Sequence, residues 1–278
     1  MSRRPLLETA LLAAEAAAAV HRNYWGRVRG EEVSAKGSSD FVSHVDLEAQ
    51  AAALDIIRER FPSHRIMSEE EDGATGPSAF PDGSGGATAG ELLWIIDPLD
   101  GTTNYLHGHP AFAASIGVVE GVHPVAGAIH AAATGERWWA SEGEGAWRNG
   151  EPIRVSEVRG LQGALIGTGF PFKRLHELPG YLEEFGRVLP ACSGIRRGGA
   201  AALDLCYLAQ GSLDAFWEGE LAPWDIAAGL ILVKEAGGVA TRMDEGPLDA
   251  RSKGPLLAAN SGELLGALRA VLRPPLPR

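Results

Sequence analysis

Apolar positions recur with a helical period at the start of the chain and gather into strand-like runs through its middle. Leu7, Leu11, Ala14 and Ala18 share one side of a 3.6-residue repeat with Glu8 and Glu15 interrupting it, which predicts an alanine-rich amphipathic helix. Gly37 to Asp40 reads as a turn. A second helix is expected to start at Phe41-Val42-Ser43-His44-Val45-Asp46, with Leu47, Ala51, Leu54, Ile57 and Phe61 as its apolar face and Pro62 as its stop. Arg65-Ile66-Met67-Ser68 predicts a short strand that runs into Glu69, Glu70 and Glu71. From Asp72 to Gly90 the pattern dissolves. Glycines at 73, 76, 83, 85, 86 and 90 punctuate Ala, Ser, Thr and Pro, which predicts a flexible loop, either a lid or a plain connector.

Glu91-Leu92-Leu93-Trp94-Ile95-Ile96-Asp97 then reads as a buried strand. Further strand runs follow at 113–119 and 125–131, a hairpin at 137–140 and 145–147, and a strand at 153–155. Beyond about residue 156 helices and strands alternate. Strands are expected at 164–169, 213–217, 238–242 and 256–259, and helices at 180–189, 199–210, 224–236 and 263–272. No repeat is visible. The pattern is that of a mixed α/β protein.

The length of 278 residues permits one large domain or two closely packed lobes. A net charge of −11 argues against nucleic acid or an anionic membrane as the main partner, because like charge is not attracted. It leaves an anionic substrate open, since divalent cations held by acidic side chains invert the local field. Cys192 and Cys206 form neither a disulfide framework nor a CxxC pair, and reduced thiols fit the cytoplasm. Arg3 and Arg4 before an apolar run imitate a signal peptide, but Glu8 and Glu15 break its core. No stretch approaches the ~20 apolar residues of a membrane span. A soluble, cytoplasmic protein is expected.

The most informative segment is Asp97-Pro98-Leu99-Asp100-Gly101-Thr102-Thr103-Asn104. A strand delivers Asp97 to its carboxyl end, Pro98 stiffens the exit, and Gly101-Thr102 opens a helix whose first N–H groups can face a phosphate. Oxygen donors of this kind suit Mg²⁺ or Mn²⁺. Taken alone, Asp97 and Asp100 equally suit a turn and a helix cap. Asp225 after Trp224 also reads as a cap, and Glu218 as a solvated loop acid. His107 and His109 lack the third ligand that zinc requires. Arg196 and Arg197 read as anion-steering or surface residues, Trp138, Trp139 and Trp147 as packing, and Gly237-Gly238 as a helix end.

The run 97–104 resembles the metal-binding signature of the inositol monophosphatase family. Collinear matches extend across nearly the whole chain. They include Lys36-Gly37, Asp40-Phe41-Val42, Asp46, Phe61-Pro62-Ser63-His64, Glu69-Glu70, Gly169-Phe170-Pro171-Phe172, Gly194-Ile195-Arg196-Arg197, Pro223-Trp224-Asp225 and Glu235-Ala236-Gly237-Gly238. Ser43 and Tyr105 depart from residues frequent in the family and touch none of the expected ligands. The resemblance implies a layered α-β-α-β-α sandwich, an N-terminal lobe over 1–150, a C-terminal lobe over 151–278 and a homodimer. It implies two or three Mg²⁺ ions. Glu69, Asp97 and the Leu99 carbonyl would hold the first and Asp97, Asp100 and Asp225 the second, with Glu69 also supporting a weaker third.

The same resemblance assigns Thr102, Asp46 and Glu69 to catalysis, with Thr102 and Asp46 orienting or deprotonating the attacking water. The substrate side would comprise Asp100, Gly101, Thr102, Gly199, Ala200, Glu218 and Asp225, with Glu218 meeting the substrate's hydroxyls. The implied reaction is hydrolysis of a small phosphate monoester, inositol monophosphate first and histidinol phosphate second. A catalytically silent binding or regulatory protein on the same fold is the rival of another class.

Overall fold

The computed structural model describes residues 3–27, 33–37, 40–70 and 90–273, with the backbone alone at 33–37 and 40–43. The expected glycine-rich connector, apart from Gly90, and Glu71 lie outside the described residues. Helices α1 (Arg4–Tyr24) and α2 (His44–Arg60) flank a hairpin of β1 (Val33–Gly37) and β2 (Asp40–Ser43). A seven-stranded sheet follows in chain order: β3 (Arg65–Ser68), β4 (Leu92–Asp100), β5 (Ala113–Glu120), β6 (His123–Ala131), β7 (Glu136–Ser141), β8 (Ala146–Arg148) and β9 (Glu151–Ile153). Only its first pair, β3 with β4, is parallel. The short helix α3 (Thr102–Leu106) hangs between β4 and β5.

The second sheet has the order β11-β10-β12-β14-β13, built from β10 (Leu165–Thr168), β11 (Gly194–Arg196), β12 (Ala215–Leu221), β13 (Val239–Arg242) and β14 (Gly254–Ala259). Helices α4 (Leu178–Val188), α5 (Ala201–Ala209), α6 (Pro223–Glu235) and α7 (Gly262–Leu272) complete the described residues. Three apolar layers hold these elements together. Ala10, Ala13 and Ala17 of α1 and Ile57 of α2 pack on Trp94, Ile96 and Ile116 of the first sheet. The other face of that sheet, at Ile95, Ile129 and Trp138, packs on α5 and α6, which also meet Phe216 and Ala258 of the second sheet. Strand alternation turns Trp217, Leu257 and Ala259 to the far side, where Tyr181 of α4 and Leu264 and Leu268 of α7 cover them. The result is an α-β-α-β-α sandwich.

Contact between α6 and the first sheet depends on missing side chains. A Cβ at Gly117 would stand 2.7 Å from the Ala227 Cβ, and one at Gly127 would stand 2.8 Å from the Ala228 Cα. These two glycines bring the start of α6, and Asp225 with it, close to the strand ends.

Several elements differ from the sequence expectation. Residues Phe41–Ser43 belong to β2, and α2 starts at His44. Its buried face is Val45, Ala49, Ala53, Leu54 and Ile57, while Leu47 is 53% exposed and Ala51 is exposed. The phase was misread because Asp46 and Gln50 sit on the buried side. Gln50 is there to accept hydrogen bonds from Ser68 Oγ and, at 3.2 Å, from the Glu70 amide. In α1 the buried stripe runs through Leu6, Ala10, Ala13, Ala14, Ala17, Ala18 and His21, with Leu7 and Leu11 at its margin. Strand β9 lies two residues earlier than expected, and the three-residue β11 had no pattern to betray it. Strand β12 continues to Leu221, so Glu218 is a strand residue and not a loop acid.

Candidate metal centre and catalytic pocket

Parallel pairing of β3 and β4 delivers two carboxyl ends to one edge of the sheet, the usual position for a site in α/β proteins. Ser68 lies opposite Ile96, and the Glu69 amide donates to the Ile96 carbonyl at 3.2 Å, which sets Glu69 beside Asp97. On its other side β4 pairs Asp97 with Ser115 and Asp100 with Ala113. Three residues of β4 therefore span two of β5, a bulge at Pro98-Leu99 where the missing proline N–H costs no ladder bond. Residues three apart on a regular strand point to opposite faces. The extra residue brings Asp97 and Asp100 to the same side. Gly101 turns the chain immediately afterwards at φ +88°, where a Cβ would stand 2.7 Å from the Ala111 carbonyl.

Each carboxylate is fixed by the backbone around it. Asp97 Oδ1 accepts from the Leu99 amide at 3.0 Å, and Asp100 Oδ2 from the Ala202 amide at the start of α5 at 2.7 Å. Asp225 Oδ2 accepts from the Ala222 amide at 2.6 Å, so Asp225 does cap α6, from its third position and reaching back to the N-cap residue. It does not exclude the other role. One carboxylate oxygen from each of Asp97, Asp100 and Asp225 lies within 4.8 Å of the other two. Burial, followed by the charges of Glu69, Asp100 and Asp225, pushes the Asp97 carboxyl well above the usual carboxylate range. Burial and then Asp225 do the same to Asp100, against the opposing Ala202 hydrogen bond. Three acids converge, two of them buried and Asp225 half-buried. All donors are oxygen, so the set fits a hard divalent cation.

The Thr102 hydroxyl sits 3.1 Å from Asp46 Oδ1 and 3.0 Å from the Leu99 carbonyl, both of which can accept its single hydrogen. Asp46 is 1% exposed and reaches this point from the first turn of α2. Asn104 ties α3 to the opposite wall by donating to the carbonyls of Ala111 at 2.7 Å and Gly198 at 3.0 Å. These groups open into a cavity of 1520 Å³ whose walls include Glu69, Gly101, Gly199, Ala200 and Glu218. Every site residue expected from the sequence lines this cavity except Asp46, which lies directly behind Thr102.

Glu218 is half-buried and stands against Gly169, where any Cβ would overlap its carboxylate. Burial and the charges of Asp225 and Asp204 push its carboxyl well above the usual range, while Arg197 opposes them. Asp204 is a cavity residue that sequence reasoning missed, and Arg197, read there as an anion-steering or surface residue, lines the cavity too. Asp204 is 3% exposed, and burial pushes it up to about 7. Its signal was a lone acid in the otherwise uncharged run 201–209. The Arg197 guanidinium lies over the rings of Phe170 and Phe172, 5.3 and 5.0 Å from their centroids. His107 and His109 are exposed and make local backbone contacts. Trp138 is fully buried packing, and Gly237-Gly238 closes α6 by donating to the Lys234 and Val233 carbonyls.

The sequence matches the profile of the inositol monophosphatase family over residues 2–273. The chain belongs to the inositol monophosphatase family. Its fold agrees with solved family structures. An inositol monophosphatase from Anabaena (Nostoc) superposes with a TM-score of 0.82 at 38% identity, covering 98% of each chain. Among relatives compared by sequence, a protein of Aquifex aeolicus named fructose-1,6-bisphosphatase/inositol-1-monophosphatase is 41% identical over 86% of each chain. A Pseudomonas aeruginosa protein named Nus factor SuhB is 41% identical over 86% of this chain and 85% of its own. Membership in the inositol monophosphatase family supports a phosphatase acting on a small phosphorylated compound. Among the described residues no helix is long and apolar enough to cross a membrane.

Proposed function

We propose that this family member is a Mg²⁺-dependent phosphomonoesterase whose preferred substrate is inositol monophosphate. The observation that carries the reading is the convergence of Asp97, Asp100 and Asp225, with Glu69 alongside, from β4, α6 and the end of β3 at the wall of one cavity. Glu69, Asp97 and the Leu99 carbonyl would hold one ion, and Asp97, Asp100 and Asp225 a second. Glu69 would also support a third. When bound, such ions supply Lewis-acid charge that favours hydroxide at neutral pH and stabilises a leaving alkoxide.

The chain's own groups do the remaining work. Thr102 accepts a hydrogen bond from the attacking water while its own hydrogen is held by Asp46, which fixes the direction of its lone pairs. The Gly101 and Thr102 amides, where α3 begins, bind phosphate oxygens. Glu218 accepts hydrogen bonds from hydroxyls next to the ester, with Gly199 and Ala200 shaping the wall beside it. A polyol phosphate uses all of these groups, which is why inositol monophosphate is preferred to histidinol phosphate. The family likeness extends the reading to a cytoplasmic homodimer, and size-exclusion chromatography tests the dimer.

A second reading, as a binding or regulatory protein, is favoured by the relatives named Nus factor SuhB. A protein relieved of catalysis is free to lose ligands, and this chain keeps Glu69, Asp97, Asp100, Thr102 and Asp225 together. Phosphate release from a panel of phosphomonoesters, with Mg²⁺ and with EDTA, separates the two readings. Turnover that requires Mg²⁺ supports the enzyme. No release from any ester by protein that binds Mg²⁺ supports the binding protein.

A further inference from the structure

Behind the metal segment stands a buried histidine that the proposed chemistry does not use. His21 lies in the last turn of α1, is 0% exposed, and sits 77 residues away in sequence from the group it touches. Its Nε2 is 2.8 Å from the carbonyl oxygen of Pro98, the residue between Asp97 and Leu99. A carbonyl only accepts, so Nε2 carries the hydrogen. The backbone of the same residue is tied as well. The Tyr105 hydroxyl donates to the His21 carbonyl at 3.0 Å, and Tyr105 belongs to α3, the helix that Thr102 opens. The ring packs against Tyr105 and Phe112, with centroids 5.9 and 5.8 Å away.

We infer that His21 is a positioning residue, which clamps the 97–105 segment from behind and so sets the spacing of the Asp97 and Leu99 oxygens. Nδ1 has no hydrogen-bond partner among the described residues. An apolar side chain of similar size would fill this space without stranding a buried nitrogen, so the ring's distinct contribution is the Nε2–H bond to Pro98. In the neutral ring that bond fixes the Nε2–H tautomer. Burial is the chief cause that brings the imidazole down to about 4, with the Pro98 bond opposing it and the nearby His130 and Arg22 adding to it. The neutral form therefore persists across the physiological range. Pro98 has no N–H and sits in a bulge, so its carbonyl is the one backbone group by which this residue can be held.

The inference rests on the reading of Asp97 and Leu99 as metal ligands, and its test separates the two. Mg²⁺ binding is measured by calorimetry on full-length wild type, His21→Leu and His21→Gln. The glutamine amide can reproduce the Nε2–H donor; leucine cannot. The expected result is about tenfold weaker Mg²⁺ binding in His21→Leu, with His21→Gln within about threefold of wild type. Tyr105→Phe, a milder change, should weaken binding by a smaller factor and serves if His21→Leu does not fold. Long-range ¹⁵N–¹H NMR of the metal-free wild type should show His21 as the neutral Nε2–H tautomer from pH 5.5 to 8. Equal affinity in wild type and His21→Leu, equal losses in the leucine and glutamine variants, or a neutral His21 ring that carries its hydrogen on Nδ1 would each overturn the inference. Wild type that binds no Mg²⁺ would overturn the metal reading and the clamp's role with it.

Discussion

The Thr102 hydroxyl meets the Asp46 carboxylate at 3.1 Å, joining two residues 56 positions apart in sequence. Asp46 is buried on the packed face of α2, where an acid has no packing value, so its place is explained by that contact. Thr102→Ala removes the group that orients water and leaves the proposed metal ligands intact. It should lower kcat roughly 100-fold and change KM by less than about twofold, because orienting and activating water matters mainly in the transition state. Steady-state kinetics at saturating Mg²⁺ check this, and an unchanged kcat refutes the role.

Asp97 faces three other carboxylates, those of Glu69, Asp100 and Asp225. Its carboxyl is raised by burial and by Glu69, Asp100 and Asp225 together, so in metal-free protein its charge is unfavourable at neutral pH. Asp97→Asn should leave the metal-free protein at least as stable as wild type at pH 7.5. The same change should lower turnover roughly 100-fold or more, beyond what residues behind a metal ligand typically cost. Thermal melts in EDTA and a rate assay read the two effects. A variant that fails to fold would instead make Asp97 a structural turn residue.

Glu218 and Gly169 form a matched pair, since a Cβ at 169 would occupy the carboxylate's place. Losing one hydrogen bond to a charged group costs roughly 1.5–3 kcal/mol. Glu218→Gln should therefore raise KM for inositol phosphate, while a simple ester without neighbouring hydroxyls is hydrolysed about as before. Gly169→Ala should turn the carboxylate aside and reproduce that change in substrate ranking. Mg²⁺ affinity should stay nearly constant in both. Identical relative rates across a phosphomonoester panel would make Glu218 a bystander.

Asp204 gives the metal-free protein a pH signature. Its folded carboxyl is pushed up to about 7 from an ordinary 3.8, so the folded state binds a proton that the unfolded state releases between those values. Stability from this group is present at low pH and is lost as pH rises through that window. Asp204→Asn removes the loss. The stability of the variant relative to wild type should grow between pH 5 and 7.5, by on the order of 2–4 kcal/mol. His21 and His130, both lowered to about 4, oppose this trend below 6.5, but they act in both proteins and cancel in the difference. A difference independent of pH would contradict the assignment.

Much of this molecule was legible in its sequence, and the exceptions share a cause. Regular apolar runs such as 92–97 and the helices over 223–235 and 262–272 announced themselves. The phase of α2 did not, because Asp46 and Gln50 are polar residues placed inward for hydrogen bonding and hydropathy turns them outward. The proposed ligands Asp97, Asp100 and Asp225 are legible through a collinear motif. That Asp97 and Asp100 face one way follows from a bulge that no periodicity reveals. Asp204 escaped because it is a lone acid in an apolar helix, and His21 because it stands among the polar residues that end α1; only the fold shows what each faces.

The central claim is that these carboxylates hold Mg²⁺ for phosphate ester hydrolysis. Phosphate release from inositol monophosphate, measured across a Mg²⁺ titration after EDTA treatment, tests it most directly. The account predicts no turnover in EDTA, recovery as Mg²⁺ is restored, and a melting temperature that rises with Mg²⁺ because the ion binds the folded state alone. Full activity in EDTA, by protein shown to carry no trace metal, would contradict it.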